Sequence, residues 1–351
     1  MTKVLRISLQ QQKNNLKIYF FDLTLHYHIL PTKTNLMEFK NFKLAFLGKG
    51  IELFKIQIVN FILNVITLSL YYPWAKAKKL QYIYSNTTFE EHPFAFTGTG
   101  SEMFKGYVKA IAFIIVAYII FFVLFYYFEM PGIAVLFLYA FIFFIIPLAI
   151  HGSYRYRMAK TVWKGIRFGY TGNSAEFLKL FFKWIFLTII TFGIYGAWFS
   201  INLRKYVVKH IKIGDAEFNY KGDGMDFFVL NLKGYFLTIF TLGIYMFWWE
   251  RDLFNYFVDN LELNKGFTKI HFRSTATGGG FFRLLVGNFL LIIFTLGLGF
   301  SWTVVRTLKF AANNIQPEGN ISFDELLQTQ PDYSNATGEE FADFLDFGFV
   351  I

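Results

Sequence analysis

The octad Thr-Leu-Gly-Ile-Tyr-x-x-Trp, or a close variant, occurs four times in this chain. The copies are TLSLYYPW at 67–74, TFGIYGAW at 191–198, TLGIYMFW at 241–248 and TLGLGFSW at 295–302. Each ends a strongly apolar run and is soon followed by Lys or Arg. A motif repeated this way restricts the fold to an array of similar units. Successive octads start 50 residues apart (191 to 241) and 54 apart (241 to 295). The 124-residue gap from 67 to 191 leaves room for one modified unit, in which Pro131-Gly132 stands in place of the octad.

Aligning on the octad recovers more of the unit. Upstream lie an aromatic residue, one residue and a glycine: Phe46-x-Gly48, Phe96-x-Gly98, Tyr170-x-Gly172 and Tyr220-x-Gly222. Four residues after that glycine comes an acid, Glu52, Glu102, Glu176 or Asp226. A long apolar helix comes next, then the octad, a basic aromatic helix and a short alternating segment such as 217–220, which reads as a strand. Five units result, at about 42–95, 96–169, 170–219, 220–271 and 272–316.

The chain is 55% hydrophobic and only 17% charged, with a mean hydropathy of +0.39, more apolar than ordinary soluble domains. Residues 110–150 carry one charge, Glu129, beside the Pro-Gly break. Each flank has about 20 apolar residues, the length that crosses ~30 Å of hydrocarbon, which predicts a transmembrane helical hairpin. The fold class expected is therefore membrane α-helical: a multi-pass bundle of about five repeated helix-hairpin units with short cytoplasmic β-strands between them. If every octad-bearing helix crossed once, the basic stretches should alternate between dense and sparse. They do not, which favours a turn at Thr-x-Gly that returns the chain to the same face. The cost is a helix break at membrane depth.

Eight acids and no Lys or Arg lie beyond Pro317, so the 34 basic residues face 16 acids over 1–316, a net +18. On an apolar chain this implies anionic lipid head groups as partners rather than nucleic acid. The acidic stretch 317–351, with Phe341, Phe344, Leu345 and Phe347 among acids, reads as a cytoplasmic tail able to bind a protein partner or the basic body. Residues 1–41 are a polar leader unlike the rest, with Met37 as an alternative start. The absence of cysteine excludes disulfides, thiolate metal sites and cysteine nucleophiles.

The helix-start acids Glu52, Glu102, Glu176 and Asp226 suit the positive end of a helix dipole, or else a carboxylate ring lining an ion path. The fifth unit has Gly280 there. Trp74, Trp198, Trp248 and Trp302 fit a membrane-interface belt. Asn60, Asn64, Asn231 and Asn288 lie inside apolar runs, as interhelical hydrogen-bonding groups or as a polar path. The six histidines show no metal spacing, and no nucleophile elbow or P-loop is present, so neither a cofactor nor an enzyme is expected.

The motifs Phe46-x-Gly-x-Gly-x-Glu-Leu-Phe54, Thr67 to Lys76, Tyr84-Ser-Asn-Thr87, the later Gly-Ile-Tyr copies and the ending Ala336 to Phe347 resemble the YjgN family of bacterial inner-membrane proteins. The resemblance covers about 40–351. It implies a multi-pass inner-membrane protein of no established activity, so no catalytic residue transfers. The expected role is a membrane scaffold or binding protein with a basic cytoplasmic face; the alternative is a transporter or channel for a small solute.

Overall fold

The structure, a computed structural model, describes residues 40–328. Most of the expected leader, including Met37, and most of the acidic tail lie outside the described residues.

Each helix pair starts from a local signal. The first helix, α1 (Gly50–Ile66), ends at Thr67, where Leu68 and Ser69 take left-handed backbone (φ 50° and 69°), and the chain returns as α2 (Tyr72–Ser85). The Thr67 hydroxyl ties the turn: it donates to Leu63 O (2.7 Å) and accepts from Tyr71 N (3.0 Å). One side chain thus serves the frayed end of one helix and the start of the next. The device recurs at Thr191, between α5 (Ser174–Ile190) and α6 (Gly196–Lys209). It recurs at Thr241, between α7 (Gly224–Phe240) and α8 (Met246–Asp259), and at Thr295, between α9 (Gly278–Phe294) and α10 (Phe300–Asn313). The remaining pair is longer. There α3 (Gly100–Phe122), extended by a π-helical stretch over Val123–Tyr127, turns at Glu129 into α4 (Pro131–Lys160).

The strands β1 (Lys40–Asn41), β2 (Leu44–Phe46), β3 (Thr87–Phe89), β4 (His92–Phe96), β5 (Thr161–Trp163), β6 (Ile166–Tyr170), β7 (Ile211–Ile213), β8 (Ala216–Tyr220), β9 (Leu261–Lys265), β10 (Thr268–Ser274) and β11 (Ile315–Gly319) form one antiparallel sheet. Its order is β1-β11-β10-β9-β8-β7-β6-β5-β4-β3-β2. Between units the register pairs Phe94 with Trp163, Phe168 with Ile213 and Phe218 with Leu263. Both ends of that order, β1 and β2, belong to one stretch of chain, 40–46, so the sheet curls round as a half-barrel towards its own beginning. Every strand but β1 meets a helix at one end, and the hairpin turns after Phe89, Trp163, Ile213 and Lys265 lie at the other. The helix pairs therefore leave from one rim of the sheet.

A tryptophan links four of the five units to the next. A Cβ on Gly100, Gly224, Gly278 or Gly50 would overlap the indole of Trp74, Trp198, Trp248 or Trp302 respectively. The last of these joins the fifth unit back to the first, as does the hydrogen bond from Ser301 to Gln57. Counting back the same distance from the following strand, the second unit has Leu148 instead of Trp, and the third unit's helix begins with Ser174 instead of Gly. Where the indole is missing, so is its glycine seat.

Two expectations are corrected. The strands are not short connectors in a helical bundle: they make a continuous eleven-stranded sheet that dominates the architecture. The sequence hid this because strands of two to seven residues give little period-two signal, and neighbouring units pair strand to strand across their boundaries. A multi-pass topology is not shown either. Among the described residues, two helices are long and apolar enough to cross a membrane, Gly100–Tyr127 (28 residues) and Pro131–Lys160 (30 residues). The helices of the other pairs have 14 to 17 residues, about 21–26 Å. The integral multi-pass scaffold, the transporter and the multi-pass inner-membrane localisation, all expected from repeated apolar helices, fall with that topology.

Gly100→Ala should place a methyl inside the Trp74 seat and destabilise the fold by about 1–3 kcal/mol, as overpacking does. Ser174→Ala, at the junction without an indole, should change stability by no more than about 0.5 kcal/mol. Thermal unfolding of both variants checks the contrast.

Candidate functional site

Strand alternation sends every second side chain to the concave face of the sheet. Those residues are Thr87 and Phe89, Thr161 and Trp163, Leu261 and Leu263, Ile270 and Phe272. With Phe168, Ile213 and Phe218 they wall a chamber of about 350 Å³. Its helix-side floor is Ile83, Tyr84 and Met158, from the last turns of α2 and α4. Among the described residues, no charged side chain lines it. A volume above 300 Å³ falls within the range of small-molecule sites. The convex face holds the charges, including buried Glu262 between Lys221 (2.5 Å) and His271 Nδ1 (2.7 Å).

The segment after β11 crosses the turn-side mouth of this chamber. Phe323 enters a box of edge-on rings: Phe42 at 5.1 Å, Phe89 at 5.0 Å and Trp163 at 5.3 Å between centroids. Each such contact contributes about 0.5–1.5 kcal/mol beyond area burial. Ile321 and Leu326 are buried on either side. Polar contacts fix the segment to successive hairpins: Asp324 to Lys164 (2.8 Å), Glu325 O to Lys265 Nζ (2.5 Å), Leu327 N to Asp215 (3.2 Å) and Gln328 Oε1 to Arg167 N (2.9 Å). The hydrogen bond and charge of Lys164 hold the Asp324 carboxyl below its ordinary value. Beside them burial works to raise the Glu90 carboxyl, but Lys40, the Lys43 amide and the charge of Lys164 outweigh it and leave it lowered. Residues 320–328 thus form a lid latched to a basic rim.

A family of bacterial proteins of unknown function (DUF898) matches residues 41–234 and 252–344. The chain belongs to the DUF898 family. It is 29% identical over 188 residues to an inner membrane protein YjgN of Salmonella typhimurium, covering 50% of this chain and 45% of the relative. It is 36% identical over 70 residues to inner membrane protein YjgN of Escherichia coli K12, covering 20% of this chain and 18% of the relative. The chain therefore spans less than half the length of these curated relatives. No solved structure matches it.

The residues singled out in the sequence take scattered places in this DUF898 chain. Glu52, Glu102, Glu176 and Asp226 all sit in the first turn of a helix. Glu102 completes a reciprocal cap with Thr99 and pairs with Lys160 (3.1 Å). Glu52 accepts from Tyr82 (3.2 Å). What the structure shows of Trp74, Trp198, Trp248 and Trp302 is their seat on the next unit's glycine. The four asparagines are not brought together. Asn60 donates to Ala75 O (3.2 Å), Asn231 to Phe227 O (2.7 Å) and Asn288 to Thr307 (3.2 Å), each within its own helix pair. The amide oxygen of Asn64 is buried with no hydrogen-bond partner.

Sequence reasoning missed a tyrosine five residues before four of the strands, Tyr82 before β3, Tyr156 before β5, Tyr206 before β7 and Tyr256 before β9. Tyr82, Tyr206 and Tyr256 each donate their hydroxyl to a helix-start carbonyl in their own unit, at Lys49, Asn173 and Asp223 (2.9, 3.0 and 2.5 Å). The regular spacing to the strand was the available signal. Nothing in the pattern of 320–328 marked it as a lid.

Phe323→Ala should release the lid. We expect hydrogen exchange of amides 321–327 to speed up at least tenfold while sheet amides keep their protection. Because the Asp324 carboxyl is lowered, its latch contributes above the ordinary carboxylate range and is lost as pH falls through the lowered value. Lid exchange, corrected for intrinsic rates, should therefore rise below about pH 4 in the native chain but not in Asp324→Asn.

Proposed function

We propose that this protein is a binding module docked in one leaflet of a membrane, with the sheet chamber held at the leaflet surface to receive an apolar ligand. The observation that carries the reading is the state of the hairpin tips. Leu68, Phe192, Leu242 and Leu296 are 88–97% exposed. All four stand at the same octad position, and all have left-handed backbone (φ 49–51°). For an L-residue that conformation costs roughly 1–2 kcal/mol, and glycine or asparagine would suit it better. A large apolar side chain held there four times, bare of protein contacts, fits a surrounding apolar phase.

The bare surface continues down the hairpins. Ile66, Phe240 and Phe294 are exposed two residues before the tips. The helices that carry them, at about 26 Å, cannot go across ~30 Å of hydrocarbon and return as full spans. Immersion from one side satisfies the tips without that requirement, and the longer α3 and α4 pair can reach deeper. The curated relatives' designation as inner membrane proteins supports a membrane setting. The sheet rim then lies where the helix pairs leave the leaflet, with its chamber above them.

The chain has no cysteine, so single substitutions report without background. Leu68→Cys, Phe192→Cys, Leu242→Cys and Leu296→Cys, each carrying a fluorescent maleimide, should be quenched by lipids brominated along their chains. Unlabelled, they should resist a membrane-impermeant thiol reagent from either side of sealed vesicles. Fast reaction of these tips with the impermeant reagent would refute one-leaflet docking.

A further inference from the structure

The lid places an apolar ring and a carboxylate next to each other in sequence, and the chamber mouth receives both. Phe323 fills the aromatic box, and Asp324 meets the ammonium of Lys164 at 2.8 Å. That ammonium also lies 5.5 Å from the ring centre of Trp163, which is a chamber wall. The cation therefore stands where the apolar chamber meets water. Below Phe323 the apolar space continues to the floor at Ile83, Tyr84 and Met158.

We propose that the ligand of this chamber is a single-chain amphiphile with a carboxylate head, and that the lid is its internal stand-in. Phe323 holds the place of the upper chain and Asp324 the place of the head. The inference rests on the reading of the chamber as a ligand site and adds the ligand class, the head-binding residue and the competition with the lid. Proportion sets the chain length: a cavity of ~150 Å³ accepts benzene, so 350 Å³ accommodates roughly a dozen carbons, and the space vacated by the Phe323 ring adds to that. A two-chain lipid exceeds the volume. An anionic head would take the place of the Asp324 carboxylate as the partner of Lys164 when the lid leaves.

Ligand and lid then exclude one another. Binding frees residues 320–328 from the rim.

The test uses the full chain in nanodiscs of zwitterionic phosphatidylcholine, with tritiated dodecanoate as the probe. Tetradecanoate should displace the probe at one saturable site and remove the exchange protection of amides 321–327. Lys164→Asn should weaken tetradecanoate at least tenfold and leave tetradecanol within twofold; asparagine tolerates the left-handed backbone at this position. Asp324→Asn, which removes the lid's own head, should tighten tetradecanoate severalfold. Intact exchange protection of the sheet amides establishes that each variant is folded. Tetradecanoate bound with the lid still protected, or equal loss of acid and alcohol in Lys164→Asn, would overturn the proposal. If tetradecanol competes as well as tetradecanoate in the native chain, the head assignment falls and the chamber reading stands. If neither displaces the probe, both fall, whatever the depth of the hairpin tips.

Discussion

Backbone pairing between units is the constraint on which the rest of the architecture depends. A hairpin such as β5 and β6 has three and five residues and can satisfy only the groups between its own two strands. Its outer edges must find partners or water. Here β4 and β7, from the flanking units, supply them. The same demand passes round the sheet until β11 meets β1. Side chains then take their places from the backbone: alternation on eleven curled strands yields an apolar concave face, and that face is the chamber. The tryptophan seats act at the level of the helices to hold neighbouring units at the spacing the ladder needs.

What could be read from the sequence was whatever recurred within a unit. Thr67, Thr191, Thr241 and Thr295 marked the helix turns because the hydroxyl and the left-handed residues after it act over eight residues. The acids from Glu52 to Asp226 marked helix starts for the same local reason. What could not be read depended on contacts between units. Phe94 and Trp163, or Phe218 and Leu263, face each other only after the ladder forms. Trp302 and Gly50, at opposite ends of the described chain, belong to one contact that no window of sequence contains. The helix-start glycine and the octad tryptophan were both visible as recurrent residues. Their relation was not, since each indole serves the following unit. The lid was hidden differently: 320–328 shares the acidity of the tail beyond it, and that masked the apolar residues Ile321, Phe323 and Leu326, which pack against the sheet.

The two ends of each unit face different surroundings. At the tips, Leu and Phe stand in strained backbone with no protein against them. At the sheet turns, lysines and acids hold one another and the lid. Between them lie the chamber and its floor, made from the last turns of α2 and α4. An apolar molecule bound there would be close to the helix rim yet released through the opposite mouth, where Phe323 sits. The geometry separates the bare apolar tips from the mouth that Phe323 covers.

Ring closure also has a consequence for how the chain is made. Gly50 emerges from the ribosome about 250 residues before Trp302, the indole that occupies its seat. At 5–20 residues per second the interval is roughly 10 to 50 s. During that time the edge of β1 that will pair with β11 has no partner, and an open strand edge is a template for pairing with other chains. The first unit must therefore wait, half-finished, for the last one. Of the five junctions in the ring, the one that closes it is the slowest to form and the one most exposed to error during biosynthesis.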